Sequence, residues 1–486
     1  MTPKAKTTDN RPNIVMFFAD DQGAWALGCA GNRELKTPNL DRLAQAGVRF
    51  ENFFCVSPVC SPARASLLTG RVPSAHGVHD WLKRGNIDLK EGESSRGVDR
   101  AIEYLEGLDG FTDYLAASGY DCAFSGKWHM GNSAQPQKGY SYWEAYAFGG
   151  GAYYNYTWMD KGKPQNRQDY VTDHITNKAI DFLKTRSSQD KPFMLSVHYT
   201  SPHSPWGREH HPERIWKQYE DCPFASTPDL PEHPWQSPTA PRGYDPKKRR
   251  ENLQGYYSAI TAMDENIGRV LEQLDQMGIR DNTLVIFSGD NGMNMGHHGI
   301  WGKGNGTFPM NMYDTSVKVP FIMSWPARIR QGWVGKGLHS HYDVFPTLLE
   351  LAEAENPLAD LLPGRSFASS LLSGEDTSDD EVVVFDEYGP VRMIRSREWK
   401  YVHRYPYGPH ELYNLIEDPN ETRNLVKEAR YAELVVSMRC RLRDWFSRYV
   451  DPARDGIGEG VTGFGQNGLM GEAANGENPW EQMPVF

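Results

Sequence analysis

Three short apolar runs, each ending in a cluster of polar side chains, constrain this chain more than any other feature. Asn13, Ile14, Val15, Met16, Phe17, Phe18 and Ala19 lead straight into Asp20 and Asp21. The stretch 191–199 leads into a loop rich in proline and histidine, and 283–288 leads into Gly289, Asp290 and Asn291. Near-continuous apolar runs of this length read as strands buried on both faces, the habit of a parallel sheet. Helical patterns lie between them. One covers 37–47, with Thr37 as its cap and Gly47 at its end; a long amphipathic one covers 256–277. Strands alternating with helices predict an α/β fold, a large mixed and mainly parallel sheet flanked by helices. Ligands of such sheets gather beyond the carboxyl ends of the strands, where all three runs deliver their polar groups.

At 486 residues the chain exceeds the size at which one core usually keeps growing. Its texture changes near 371. An acidic, turn-rich run at 373–381 precedes predicted strands at 382–385, 391–395 and 399–403 and a helix from about 431 to 449. This pattern predicts a large domain over 1–370 and a small α+β domain over 371–486, with an antiparallel sheet, a packing helix and an irregular glycine-rich tail.

The formal net charge of -11 leaves no electrostatic footprint for nucleic acid. An anionic ligand would therefore need a locally positive pocket on an acidic background. No run of about 18 apolar residues occurs, so no membrane-spanning helix is expected. The polar stretch 1–11 lacks the apolar centre of a secretory signal. Two locations fit it, the cytoplasm, or the periplasm or exterior after loss of a signal peptide. The six cysteines are scattered without CxxC pairs, which argues against structural zinc.

Adjacent carboxylates at Asp20 and Asp21 repel each other unless a cation is near. Asp290 and Asn291 add a carboxylate and an amide oxygen at a second strand end. Hard oxygen donors from two strands suit Ca²⁺ or Mg²⁺ and argue against zinc or copper. The most specific motif is Cys60-Ser61-Pro62-Ala63-Arg64, continued as Ala65-Ser66-Leu67-Leu68-Thr69-Gly70-Arg71. In this C-x-P-x-R core and its helix the chain resembles the formylglycine-dependent (type I) sulfatase family of the alkaline-phosphatase-like superfamily. The likeness covers most of 12 to about 326, and the C-terminal domain more loosely. Many members carry serine where Ala63 stands, but Cys60, Pro62 and Arg64 match.

The resemblance implies that a formylglycine-generating (sulfatase-maturing) enzyme oxidises Cys60 to formylglycine. The hydrated aldehyde presents two hydroxyls on one carbon, one to attack sulfur and one to expel sulfate, so no water need attack sulfur. It also implies that Asp20, Asp21, Asp290, Asn291 and modified Cys60 hold Ca²⁺, with Mg²⁺ second. Lys127 and His129, in Ser125-Gly126-Lys127-Trp128-His129, follow an apparent strand at 120–124 and point the same way if the chain there is extended. They match the family's sulfate-oxygen donors and partners of the formylglycine hydroxyl. His203 matches the histidine at the leaving-group oxygen, and Lys303 the second sulfate-binding lysine. His298 has two equal readings, pocket-facing or structural. His198 reads as a core or supporting histidine, and His210 and His211 as surface.

Arg64, Lys127 and Lys303 supply the positive pocket that the acidic composition demands. Sulfate is weakly basic, so its transition state needs cations and donors more than strong bases. His203 or Lys127 would assist the departing alcohol and His129 the breakdown of the sulfated intermediate. The resulting reading is a sulfuric ester hydrolase acting on a sulfated small molecule or carbohydrate. The alternatives are a phosphonate monoester or phosphodiester hydrolase of the same superfamily and a catalytically silent carbohydrate-binding relative. Aromatic residues within 140–158 offer stacking platforms for sugar rings. The glycine-rich tail and the C-terminal domain are expected to close one side of the pocket, with Arg404 and His410 as candidate wall residues.

Overall fold

The structure is a computed structural model describing residues 11–93, 97–186, 191–376 and 384–482. Strand β1 (Asn13–Ala19) is the keystone. Ile14, Met16 and Phe18 enter one apolar core, and Val15, Phe17 and Ala19 enter a second on the opposite face. The period of two thus buries both faces of the strand, as its unbroken apolar run requires. Next come β2 (Val48–Phe54), β3 (Asp121–Lys127), β4 (Tyr140–Tyr146), β5 (Tyr156–Asp160), β6 (Lys163–Arg167), β7 (Phe193–His198) and β8 (Thr283–Gly289). A small ribbon of β9 (Asn294–Met295) and β10 (Trp301–Gly302) precedes β11 (Phe321–Ser324) and β12 (Trp333–Ser340). Ten strands form one sheet in the order β12-β2-β11-β8-β1-β7-β3-β4-β5-β6. Its centre, β8-β1-β7-β3-β4, is parallel throughout. Antiparallel pairings enter only toward the two flanks. The predicted α/β class is the observed one.

Some local expectations change. The first predicted helix is Pro38–Gln45, and Thr37 does occupy its N-cap, but the hydroxyl accepts from Gly28 N and donates to Asp41 instead of capping. Gly47 does not end that helix; Ala46 does. A Cβ at Gly47 would lie 2.1 Å from the Met323 carbonyl oxygen, so close approach to β11 explains this glycine. The long helix runs over Pro246–Gln276, starting well before 256. The Asp245 carboxylate caps it by accepting from Lys247 N and Lys248 N, and its polar first turns carry no apolar period to reveal them.

In the C-terminal region β13 (Val384–Tyr388), β14 (Val391–Arg395), β15 (Trp399–Arg404) and β16 (Glu411–Asn414) form an antiparallel sheet in that order. The last strand was not foreseen, and positions 382 and 383 of the first predicted strand lie outside the described residues. The helix Ala432–Tyr449 covers one face, where Ile394, Tyr401 and Leu412 meet Met438, Leu442 and Phe446. On the other face Val384, Tyr388, Val391, Met393 and Val402 join the core that also holds Ile14 and Phe18. The helix Ala368–Ser373 runs across position 370, and its Leu371 belongs to that shared core. No helix among the described residues is long and apolar enough to cross a membrane.

Candidate active site

Strand register brings the site together. Strands β1 and β8 end level, Ala19 opposite Gly289, so Asp20 and Asp290 leave the sheet side by side. Strands β3 and β7 pair Gly126 with His198, which sets Lys127 on the same carboxyl edge. Carboxylate oxygens of Asp20, Asp21 and Asp290 lie within 4.8 Å of one another. Asp21 adopts φ 64, a left-handed conformation that aspartate tolerates better than most residues. Its Oδ1 accepts from Asn291 Nδ2 at 2.9 Å and from Lys303 Nζ at 2.5 Å.

Cys60 is the first residue of the buried helix Cys60–Thr69, where the helix dipole favours negative charge. Arg64 follows one turn later on the same side, which is the physical content of the C-x-P-x-R spacing. Its guanidinium does not reach for the cavity. Arg64 Nε donates to Asp290 Oδ2 at 3.0 Å, Nη2 pairs with the same oxygen at 2.9 Å, and Nη1 donates to the Lys127 carbonyl at 3.0 Å. His198, buried in β7, sets its Nδ1 3.4 Å from Arg64 Nη1, the supporting place expected of it. Lys127 Nζ donates to Asp20 Oδ2 at 2.7 Å, and Lys303 Nζ lies 3.7 Å from Cys60 Sγ. The cysteine therefore lies within the field of both ammonium groups and of the Asp20 and Asp290 carboxylates.

Burial opposes every charge here, and the neighbours decide each outcome. For Asp290 the burial penalty is overcome by Arg64, Lys127 and Lys303, which hold it below the usual carboxylate range. Asp21 is likewise held low, by Lys303 and His203. Asp20 is different: burial pushes it up to about 6 despite Lys127. The Cys60 thiol is also raised by burial, only partly offset by the two lysines, so it does not present a ready thiolate.

Two acceptors in this cluster, Asp20 Oδ1 and Asn291 Oδ1, are buried without a hydrogen-bond partner. Orphaned buried oxygens are costly and call for a partner. With Asp21 and Asp290 beside them, they form an all-oxygen donor set that fits a hard divalent cation. A cavity of about 460 Å³ opens over the cluster, with Asp21, His203 and Lys303 in its lining. His203 Nδ1 is 2.7 Å from the Ser204 carbonyl, which can only accept, so Nδ1 carries a proton; Nε2 faces Asp21 Oδ2 at 3.6 Å.

Several placements differ from the sequence reading. Strand β3 extends through Lys127, and the chain then turns at His129, φ 53, so Lys127 and His129 do not project from one extended segment. His129 is nevertheless buried near Lys127, Arg64 and Lys303, and burial keeps its ring neutral by lowering its pKa well below the ordinary value. A Cβ on Gly149 would fall 1.9 Å from His129 Nε2, so only glycine leaves room for this ring. His298 does not line the cavity. It stacks on Tyr313 at 3.8 Å, a structural role. Arg404 and His410 do not line it either; Arg404 is tied to Glu411 and the Met310 carbonyl, and His410 stacks on His403. The tail itself does form a wall, through Gly463, Phe464, Glu481 and Gln482. His211, expected at the surface, is only 4% exposed and packs between Tyr153 and Trp216. The sequence reading missed Leu82, Lys83 and Asn305, which carry no motif; the run Gly149-Gly150-Gly151 was the one visible sign of close packing around His129 and His203.

Fold and site together define a hydrolase of anionic esters, and comparison with known proteins makes that specific. Residues 12–354 match the family model described as Sulfatase, and residues 296–447 match N-sulphoglucosamine sulphohydrolase, C-terminal. The chain belongs to the sulfatase family, the sulfuric ester hydrolases. It is 27% identical over 526 residues to an N-acetylglucosamine-6-O-sulfatase of Bacteroides thetaiotaomicron, covering 92% of this chain and 88% of that one. It is 28% identical to an ulvan-active sulfatase of Formosa agariphila, covering 90% and 83%. In fold it resembles a protein solved in complex with its substrate D-glucosamine-2-N,6-O-disulfate, with a TM-score of 0.74, 24% identity and coverage of 90% and 98%.

Proposed function

We propose that this sulfatase releases sulfate from a sulfated sugar, with formylglycine at position 60 and Ca²⁺ bound by Asp20, Asp21, Asp290, Asn291 and the modified residue. The observation that carries the metal assignment is the pair of buried oxygens that accept no hydrogen bond, Asp20 Oδ1 and Asn291 Oδ1, beside the carboxylates of Asp21 and Asp290. A divalent cation there would lower the pKa of a neighbouring hydroxyl and neutralise charge on a sulfate oxygen. The formylglycine assignment rests on the C-x-P-x-R match and is supported by the raised thiol pKa, which makes unmodified Cys60 a poor nucleophile. The hydrated aldehyde would supply attack and release from one carbon.

The remaining work falls to this chain's own side chains. Lys127 and Lys303 each carry three donors and spend one on a carboxylate, which leaves N–H groups for sulfate oxygens. Arg64 acts from beneath, fixing Asp290 and the Lys127 carbonyl. His203, on the cavity wall with Nδ1–H held by the Ser204 carbonyl, would give the departing sugar oxygen a proton from Nε2 in its doubly protonated form. His129 keeps a free Nδ1 acceptor in a water-poor setting, suited to taking a hydroxyl proton. The sugar preference is drawn from the relatives named above and from the aromatic cavity residues Trp81, Trp206 and Phe464.

Mass spectrometry of the peptide containing Cys60, from cells with a sulfatase-maturing activity, should show sulfur replaced by oxygen. Sulfate release from a panel of defined sulfated sugars should then depend on that modification and on Ca²⁺. Full turnover by protein whose Cys60 remains a thiol would defeat the proposal, and turnover of phosphonate monoesters in preference to every sulfate ester would redirect it.

A further inference from the structure

The glycine-rich tail is bonded to the catalytic machinery far more closely than an irregular terminus needs to be. Gln466 is fully buried, and its backbone pairs in parallel fashion with Leu82: Gln466 N donates to the Trp81 carbonyl at 2.8 Å, and Lys83 N donates to the Gln466 carbonyl at 2.9 Å. Its side chain plugs the turn just before. Oε1 accepts from His79 N at 2.9 Å, while Nε2 donates to the carbonyls of Gly77 and Gly468 at 3.1 and 3.0 Å. The neighbouring Gly465 N donates to Asp80 Oδ2 at 3.1 Å. The amide thus spends two bonds on the 77–79 turn and one on the tail itself.

The segment held in this way matters because of Leu82. Its N–H donates to Ser61 Oγ at 3.0 Å, beside Cys60, and its carbonyl lies 3.0 Å from His129 Nε2. A carbonyl can only accept, so Nε2 carries the ring proton and Nδ1 is left with its lone pair. His129 Nδ1 is buried and has no protein partner. The position of one backbone carbonyl thus sets both the tautomer and the orientation of the imidazole. Asn86 Nδ2 also donates to that carbonyl, at 3.2 Å, and the tail bridge holds the backbone on either side of it, at the Trp81 carbonyl and Lys83 N.

We propose that Gln466 is a positioning residue for the sulfatase reaction: by pinning 81–83 it fixes the Leu82 carbonyl, and through it the His129 tautomer that presents Nδ1 to the reaction centre. This rests on the role given to His129 above. The tail would then be part of the active site by two routes, as cavity wall and as the brace behind an acid–base residue.

A double-mutant cycle tests it on mature, metal-loaded, full-length enzyme with an aryl sulfate and a sulfated sugar. Gln466→Met keeps the volume and removes both amide groups. It should lower kcat about tenfold, the scale of losing a supporting contact, with KM little changed on both substrates. In a His129→Ala background the same change should alter kcat by about twofold or less, because coupled residues are not additive. Equal losses in both backgrounds, or a loss confined to KM, would overturn the assignment. If Gln466→Met does not fold by thermal melting, Gln466→Glu, which keeps the acceptor for His79 N but sets a carboxylate against two carbonyls, is carried through the same cycle and judged by the same outcomes. Should His129→Ala alone leave kcat intact, the role of His129 fails and the inference falls with it, a result visible separately from the cycle.

Discussion

Two of the clusters of buried charge among the described residues are built from the same ingredients for opposite ends. Under the small sheet, Lys400 Nζ spends all three donors, on the Met312 carbonyl, Asp314 Oδ1 and Glu421 Oε1 at 2.8, 2.6 and 2.6 Å. Arg395 grips both oxygens of Asp314, and the second oxygen of Glu421 accepts from Asp314 N. Asp314 and Glu421 have no oxygen left over. At the sheet edge, Arg64, Lys127 and Lys303 face Asp20, Asp21 and Asp290, yet Asp20 Oδ1, 3.9 Å from Arg64 Nη2, and Asn291 Oδ1 accept no hydrogen bond. The Lys400 network joins the C-terminal sheet to the 312–314 loop, and the neighbouring buried Asp386, whose two oxygens accept no hydrogen bond, is raised by burial well above the usual carboxylate range. The sheet-edge network, with its open acceptors over a cavity, is held ready for something outside the chain. Leftover acceptors gathered from several residues beside a cavity, rather than charge itself, mark the site.

Substitution should divide the two clusters cleanly. Cys60→Ala is expected to reduce kcat/KM by a factor on the order of 10⁴ or more, as loss of a nucleophile does, while the melting temperature stays near that of the parent. Lys400→Met should do the reverse. Leaving two buried carboxylates short of a cation costs about 3–5 kcal/mol, seen as a lower urea midpoint, while kcat of the folded fraction stays within about twofold. A large activity loss in folded Lys400→Met protein would erase the distinction. Chelation probes the open acceptors directly. Removing the divalent ion should abolish turnover and lower stability by about 3 kcal/mol relative to protein at a hundred times the Kd, both restored by Ca²⁺. In Asp20→Asn the addition of Ca²⁺ should shift the melting temperature much less; an unchanged shift would place the ion elsewhere.

How much of this could be read in advance depends on how local the cause was. The carboxyl-edge cluster was legible because β1 and β8 are unbroken apolar runs that stop at acidic residues, so strand and site share one signal. Cys60 was legible through its motif. The direction of Arg64 was not: its charge is visible in the sequence, but its aim at Asp290 follows from packing across 226 positions. His298 stayed open between two readings and His211 misled for the same reason, since what Tyr313 or Trp216 covers is settled by tertiary contacts. The tail read as irregular because glycines at 463 and 465 break every period. Its order comes from partners such as His79, 387 positions away from Gln466, and no window along the chain contains both.

A third kind of buried charge, at the anchor of that tail, sharpens the comparison. Asp80 is fully buried and is held by hydrogen-bond donors instead of a cation: the Tyr388 hydroxyl at 2.5 Å, Trp81 N at 2.9 Å and Gly465 N at 3.1 Å. Burial pushes its pKa up to about 6 in spite of these donors, against an unfolded value of about 3.9. The folded state therefore keeps a proton that the unfolded state has already lost. The stability Asp80 contributes is complete below about pH 4 and is lost as pH rises through about 6, beyond which both states are ionised. Urea unfolding of the wild type and Asp80→Asn across that range should show the wild type losing ground to the variant between about pH 4 and 6, with a constant gap above. A gap that does not change with pH would mean that the three donors hold the carboxylate ionised, so that Asp80 belongs with Asp314, whose oxygens are all bonded, and not in a class of its own.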